Sequence, residues 1–187
     1  MKPLILVKHS LPEVLEAIPA REWTLSEEGR NRARKLAEIL LPYQPEVIAS
    51  SMEPKAQETA SILAENLRLP VHTVEGLQEH DRSSSLYYST VEFQKLVQKF
   101  FEKPDILVFG SETATQSLVR FQRAVESILI SCKSENVIIV SHGTVISLFV
   151  SWLTGYDGHL LWQELGLPSF VVLDMQSRAL LKTENLP

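Results

Sequence analysis

The sequence predicts an α/β fold: a three-layer α/β/α sandwich whose central sheet is mostly parallel and carries helices on both faces. Two observations support this. Short β-branched or apolar runs alternate along the chain with longer stretches of helical periodicity. The 187 residues suffice for one domain with a sizeable core and are too few for two. A single domain over residues 1–187 is therefore expected.

Leu4-Ile5-Leu6-Val7 reads as a first, buried strand. Thr24-Leu25-Ser26-Glu27 offers a capping box, with the Thr24 hydroxyl and the Glu27 carboxylate meeting free amides at a helix start. Ala33, Leu36, Ala37 and Leu40 continue that helix until Pro42 stops it. Val47-Ile48-Ala49 is a second strand, and Ala56, Ala60, Leu63 and Leu67 form the inner stripe of the next helix. Val71-His72-Thr73-Val74 is a third strand. Between Gly76 and Gly110 the pattern loosens: Asp81-Arg82-Ser83-Ser84-Ser85 is loop-like, and Phe93, Leu96, Val97 and Phe100 mark one amphipathic helix. Residues 77–110 are expected to be an insertion or lid near one end of the sheet. A long helix starting around Glu112 buries Leu118, Phe121, Val125 and Leu129; the strand Val137-Ile138-Ile139-Val140 follows, then a helix with Val145, Leu148, Phe149 and Trp152 inside. Residues 169–173 and 179–181 form a closing pair of strands around the turn Met175-Gln176-Ser177.

Composition excludes several function classes. The apolar runs fall far short of the ~20 residues of a transmembrane helix. The N-terminus lacks a signal-peptide pattern, so a cytoplasmic location is expected. The one cysteine, Cys132, has no partner for an intramolecular disulfide or a cysteine zinc site. Eighteen Lys and Arg against 23 Asp and Glu give a net charge of −5, which argues against nucleic-acid or anionic-membrane partners. A small anionic ligand feels a local constellation and stays allowed.

Such a constellation exists. The first strand runs into Lys8-His9-Ser10 and the fourth into Ser141-His142-Gly143, so two histidines stand at the carboxyl ends of strands, where open parallel sheets bind ligands. A lone strand-end histidine is usually unremarkable packing; two at equivalent positions point to a site. The helix start Ser50-Ser51-Met52-Glu53-Pro54-Lys55 aims free amides outward, and Lys55 adds a charge that is unfavourable there unless an anion compensates it. Taken alone, Lys55 is as readily a solvated surface lysine.

In these segments the chain resembles the histidine phosphatase superfamily, the phosphoglycerate-mutase-like phosphatases. Lys8-His9-Ser10 matches the family's Arg-His-Gly, and Leu25-Ser26-Glu27-Glu28-Gly29 matches its Leu-Thr/Ser-Glu-Glu-Gly. Ser51 followed by Lys55-Ala56-Gln57-Glu58-Thr59-Ala60 matches a serine followed by Arg-Ala-x-Gln-Thr-Ala. Leu77-Gln78-Glu79 and Ser141-His142-Gly143 complete the set. Lysine stands at both phosphate-binding arginine positions, replacing a bidentate fork with a point charge, and Ser10 replaces a glycine.

The resemblance implies phosphoryl transfer through a phosphohistidine, on a small phosphorylated metabolite or a phosphoprotein, without metal or cofactor. His9 is the implied nucleophile, kept neutral by Lys8 and Lys55. His142 and the lysines would stabilise the transferring group, with Ser10 and Gly143 also at the substrate. Glu79 would protonate the leaving oxygen and then activate water; without the resemblance it reads as a loop glutamate. His80 and Asp81 could line the substrate wall, Glu112 lies near the family's site mouth, Arg120 and Arg123 are expected to be structural, and Trp23, Trp152 and Trp162 to pack in core or rim. Three other readings stay open: a phosphate-ester-binding or regulatory module of the same fold, a phosphoglycerate mutase, and a metallohydrolase using His9, His142 and a carboxylate. Oligomeric state is left open.

Overall fold

In the computed structural model, residues 3–82, 88–132 and 136–186 are described. The serines at 83–85 of the polar segment lie outside them. A six-stranded sheet in the order β3-β2-β4-β1-β5-β6 is formed by β1 (Leu4–Lys8), β2 (Val47–Ser50), β3 (Val71–Thr73), β4 (Val137–Ser141), β5 (Ser169–Asp174) and β6 (Ala179–Asn185). β3, β2, β4 and β1 are mutually parallel, whereas β5 runs antiparallel to β1 and β6 antiparallel to β5. The expected mostly parallel sheet is present, and the predicted closing pair forms its antiparallel edge.

The strand pleat divides the core. Leu4, Leu6, Val137 and Ile139 face one side, where they pack with Phe121, Val125, Val145 and Phe149 of α4 (Ala114–Ser131) and α5 (Gly143–Thr154). Ile5, Val7, Ile138 and Val140 face the other, against Leu36, Leu40, Ala56 and Leu63 of α1 (Glu27–Leu40) and α2 (Pro54–Leu67). A third apolar cluster joins Val97 and Phe100 of α3 (Thr90–Glu102) to Phe109, Ala114 and Leu148. A short helix, α6 (Gly158–Glu164), packs on α5 and was missed in the sequence. Its cap is Asp157, which accepts from the Leu160 amide.

The start of α1 differs from expectation. Its cap is Ser26, whose hydroxyl accepts from the Gly29 amide at 3.0 Å, and Thr24 is exposed. Leu25 is the reason: it is fully buried, and its amide donates to Glu58 at 2.7 Å, which holds the chain extended until Ser26. Among the described residues, no helix is long and apolar enough to cross a membrane, and no cluster of His, Cys, Asp and Glu could hold a metal ion.

Candidate active site

β1, β2 and β4 are sheet neighbours, and their ladders continue one residue past the strand ends: the His9 amide donates to the Ser141 carbonyl and the Ser51 amide to the Val140 carbonyl, both at 2.9 Å. His9, Ser51 and His142 are thereby brought side by side. The two histidines border a cavity of about 990 Å³, whose wall also includes Lys8, Glu53, Lys55, Glu79 and Gly143.

His9 is buried, and its Nδ1 lies 2.8 Å from the carbonyl oxygen of Ser10. A carbonyl can only accept, so Nδ1 carries the proton and the lone pair is on Nε2. Burial first, then the His142 ring and the charge of Lys55, holds the His9 pKa well below its ordinary 6.5. The ring stands edge-on to that of His142, with centroids 5.1 Å apart. His142 caps α5 and is fully buried; its Nε2 lies 2.8 Å from Ser51 Oγ, and burial pushes its pKa down to about 3. Both imidazoles are neutral at physiological pH.

The cations are held by internal acceptors. Lys8, the last residue of β1, donates to the Leu165 carbonyl at 2.7 Å, and burial lowers its pKa to about 8 against the opposing pull of Glu79. Its stem passes over Gly143, where an added Cβ would stand 3.1 Å from Lys8 Cε. Lys55, in the first turn of α2, donates to the Ala20 carbonyl at 2.7 Å and to Glu53 Oε2 at 2.5 Å.

Glu79 reaches the N-terminus of α5. Its two oxygens accept from the amides of Thr144 at 3.2 Å and His80 at 2.9 Å. Burial acts to raise its pKa, but the His142 ring, the Arg82 guanidinium and the His80 amide prevail and hold it below the usual carboxylate range. Arg120 fixes the loop that presents it. One guanidinium nitrogen donates to the carbonyls of Gly76 at 2.8 Å and Gln78 at 2.9 Å, and the other to the carbonyl of Glu79 at 3.2 Å and to Glu112 at 2.5 Å. Arg120 and Glu112 both border the cavity.

Of the expected site residues, Lys8, His9, Lys55, Glu79, His142 and Gly143 converge on this cavity, and Ser10 does not. The Ser10 hydroxyl donates to the Gly29 carbonyl at 2.7 Å and its amide to Thr59 Oγ1 at 3.0 Å, so it ties the end of β1 to α1 and α2. Gly29 itself must be glycine, because a Cβ there would fall 2.0 Å from the Leu11 carbonyl oxygen. Two parts of the site escaped sequence reasoning. Glu53 is one; an acidic residue at the cap of the very helix singled out for Lys55 was the available signal. The segment between Pro12 and Trp23 is the other. Its prolines and the Trp23 indole, which donates to the carbonyls of Leu15 and Ile18, build one cavity wall. Trp162 also borders the cavity, with Phe93 5.9 Å from it, while Trp152 is exposed beneath Arg178.

The family model of the histidine phosphatase superfamily (branch 1) matches residues 5–182. The chain belongs to that superfamily. It is 25% identical, over 73% of its length and 67% of the relative's, to the uncharacterized phosphatase PhoE of Bacillus subtilis. Two solved structures share the histidine phosphatase fold. A mutant phosphoserine phosphatase from Entamoeba histolytica in complex with phosphoserine superposes with a TM-score of 0.78 at 19% identity, covering 98% of this chain and 96% of that one. A mycobacterial glucosyl-3-phosphoglycerate phosphatase gives a TM-score of 0.74 at 22% identity, covering 91% and 89%.

Proposed function

We propose that the protein hydrolyses phosphomonoesters through a phosphohistidine on His9. The observation that carries this reading is the His9 imidazole: neutral, with its proton committed to the Ser10 carbonyl and its Nε2 lone pair free for phosphorus, in a wall shared with Lys8, Lys55 and His142.

In the first half-reaction Nε2 attacks phosphorus and the ester oxygen leaves. Positive charge develops on the ring, and the Nδ1–H bond to the Ser10 carbonyl strengthens as it does. Lys8, Lys55 and His142 oppose the charge on the equatorial oxygens. Glu79 begins as a carboxylate; an ester dianion brought beside it raises its proton affinity, so the acid form arises on binding and protonates the leaving oxygen. In the second half-reaction the Glu79 carboxylate takes a proton from water, which attacks phosphorus and frees His9 and inorganic phosphate.

The cavity supports a substrate larger than phosphate and of limited size. Ile18, Pro19 and Trp23 border it from one loop, Tyr88 and Phe93 from the 77–110 segment, and Arg21 and Arg82 supply further cations. A small phosphorylated metabolite suits this wall better than a folded phosphoprotein, and the two structural relatives are named for small phosphomonoesters. We further propose one cytoplasmic domain in which residues 77–110 act as the lid. The test is a panel of small phosphomonoesters assayed with the wild type and His9→Ala: turnover by the first and none by the second supports the reading, and equal turnover by both rejects it.

A further inference from the structure

We propose that Glu53 sets the affinity of this site for the phosphoryl group by competing with it for Lys55. This rests on the phosphatase reading for its significance, though not for its test. The Glu53 carboxylate lies 2.5 Å from Lys55 Nζ through one oxygen and 3.5 Å from His142 Nε2 through the other. The second oxygen also accepts from the Glu79 amide at 2.9 Å. Both partners of the ion pair are buried, with side chains 7% and 10% exposed. A carboxylate is the same kind of ligand for an ammonium as a phosphoryl oxygen, so Glu53 holds one of the cavity's cations just as the substrate would.

Glu53 cannot simply leave. It caps α2 at the backbone, and the Glu79 amide secures its side chain. An arriving phosphoryl group must therefore take Lys55 away from Glu53 or share it while repelled by that carboxylate at close range. With Glu79 also in the wall, the formal charges of Lys8 and Lys55 are matched by two carboxylates. The consequence is weak retention of inorganic phosphate, the product, and hence easy release. A purely structural counter-ion role for Glu53 predicts the opposite, since losing the anchor of Lys55 would weaken phosphate binding.

The experiment is calorimetric titration of inorganic phosphate into the wild type, Glu53→Gln and Glu53→Asp, with thermal unfolding of each. Glu53→Gln retains an acceptor for the Glu79 amide without the charge and is expected to bind phosphate about tenfold tighter or more; Glu53→Asp, which keeps the charge, should bind like the wild type. Should Glu53→Gln fail to fold, Glu53→Met gives the same comparison with an uncharged chain of similar length. Equal or weaker binding by the uncharged variant, the same gain in Glu53→Asp, or no detectable binding by any of them overturns the proposal. If the wild type hydrolyses esters through His9 and the uncharged variant binds no tighter, only the role of Glu53 falls. If binding tightens but no ester is hydrolysed, Glu53 keeps its role and the phosphatase reading falls.

Discussion

His9 donates its Nδ1 proton to the carbonyl of the next residue, Ser10, across 2.8 Å, and Ser10 is in turn bound to α1 through Gly29 and to α2 through Thr59. The tautomer and aim of the His9 ring are thus set by backbone that three elements hold in place. A side-chain partner could rotate away; this one cannot.

The pH dependence follows from Lys8 and His9. His9, with a pKa well below 6.5, stays unprotonated as pH falls through that value and imposes no acid limb near it. Lys8, lowered to about 8, loses its charge as pH rises through that value, so the attraction for a phosphoryl group declines on the alkaline side. The profile of kcat/KM should fall above about pH 8, and Lys8→Arg, whose guanidinium stays charged, should remove that limb. A limb unchanged in Lys8→Arg assigns it to another group.

Glu79 can be separated from the rest of the site by varying the leaving group. Glu79→Gln keeps a side chain that accepts from the Thr144 amide but cannot give a proton. It should lose about 10²–10⁴-fold in kcat/KM, which reports the first half-reaction alone, on an alkyl phosphate and far less on p-nitrophenyl phosphate, whose phenolate leaves without help. Equal losses on both substrates would remove Glu79 from the role of acid.

Arg120 is a positioning residue. Arg120→Met strips three loop carbonyls of their donor and removes the counter-ion of Glu112. It should cost about 1–3 kcal/mol of stability in urea unfolding and lower kcat about tenfold to a hundredfold by misplacing Glu79. Phosphate affinity, which rests on Lys8 and Lys55, should hold. Arg120→Lys should rescue little, because one ammonium cannot serve a fork of carbonyls and a carboxylate together. A loss of phosphate affinity matching the loss of kcat would contradict this.

What the sequence disclosed and what it hid separate along physical lines. Leu4, Ile5, Leu6 and Val7 are apolar in succession because both faces of the sheet are covered, so the strand and the two layers were visible together. His9 and His142 were visible because strand ends position side chains predictably. Ser10 adjoins His9 in the chain, which suggests a place at the substrate; its side chain instead turns toward α1, where Gly29 approaches Leu11 too closely for any other residue. Glu53 was hidden because its role depends on Lys55 folding back by two positions, which no periodicity encodes. Arg120 looked structural, and its hydrogen bonds are structural; only the fold shows that the loop it holds carries Glu79.

The central claim is that His9 becomes covalently phosphorylated, and rapid acid-free quenching of the enzyme with labelled phosphomonoester tests it directly. Label that is acid-labile, alkali-stable and mapped to His9, and absent from His9→Ala, is the predicted result. Turnover with no label on His9, or label on a serine or on Cys132, would contradict it.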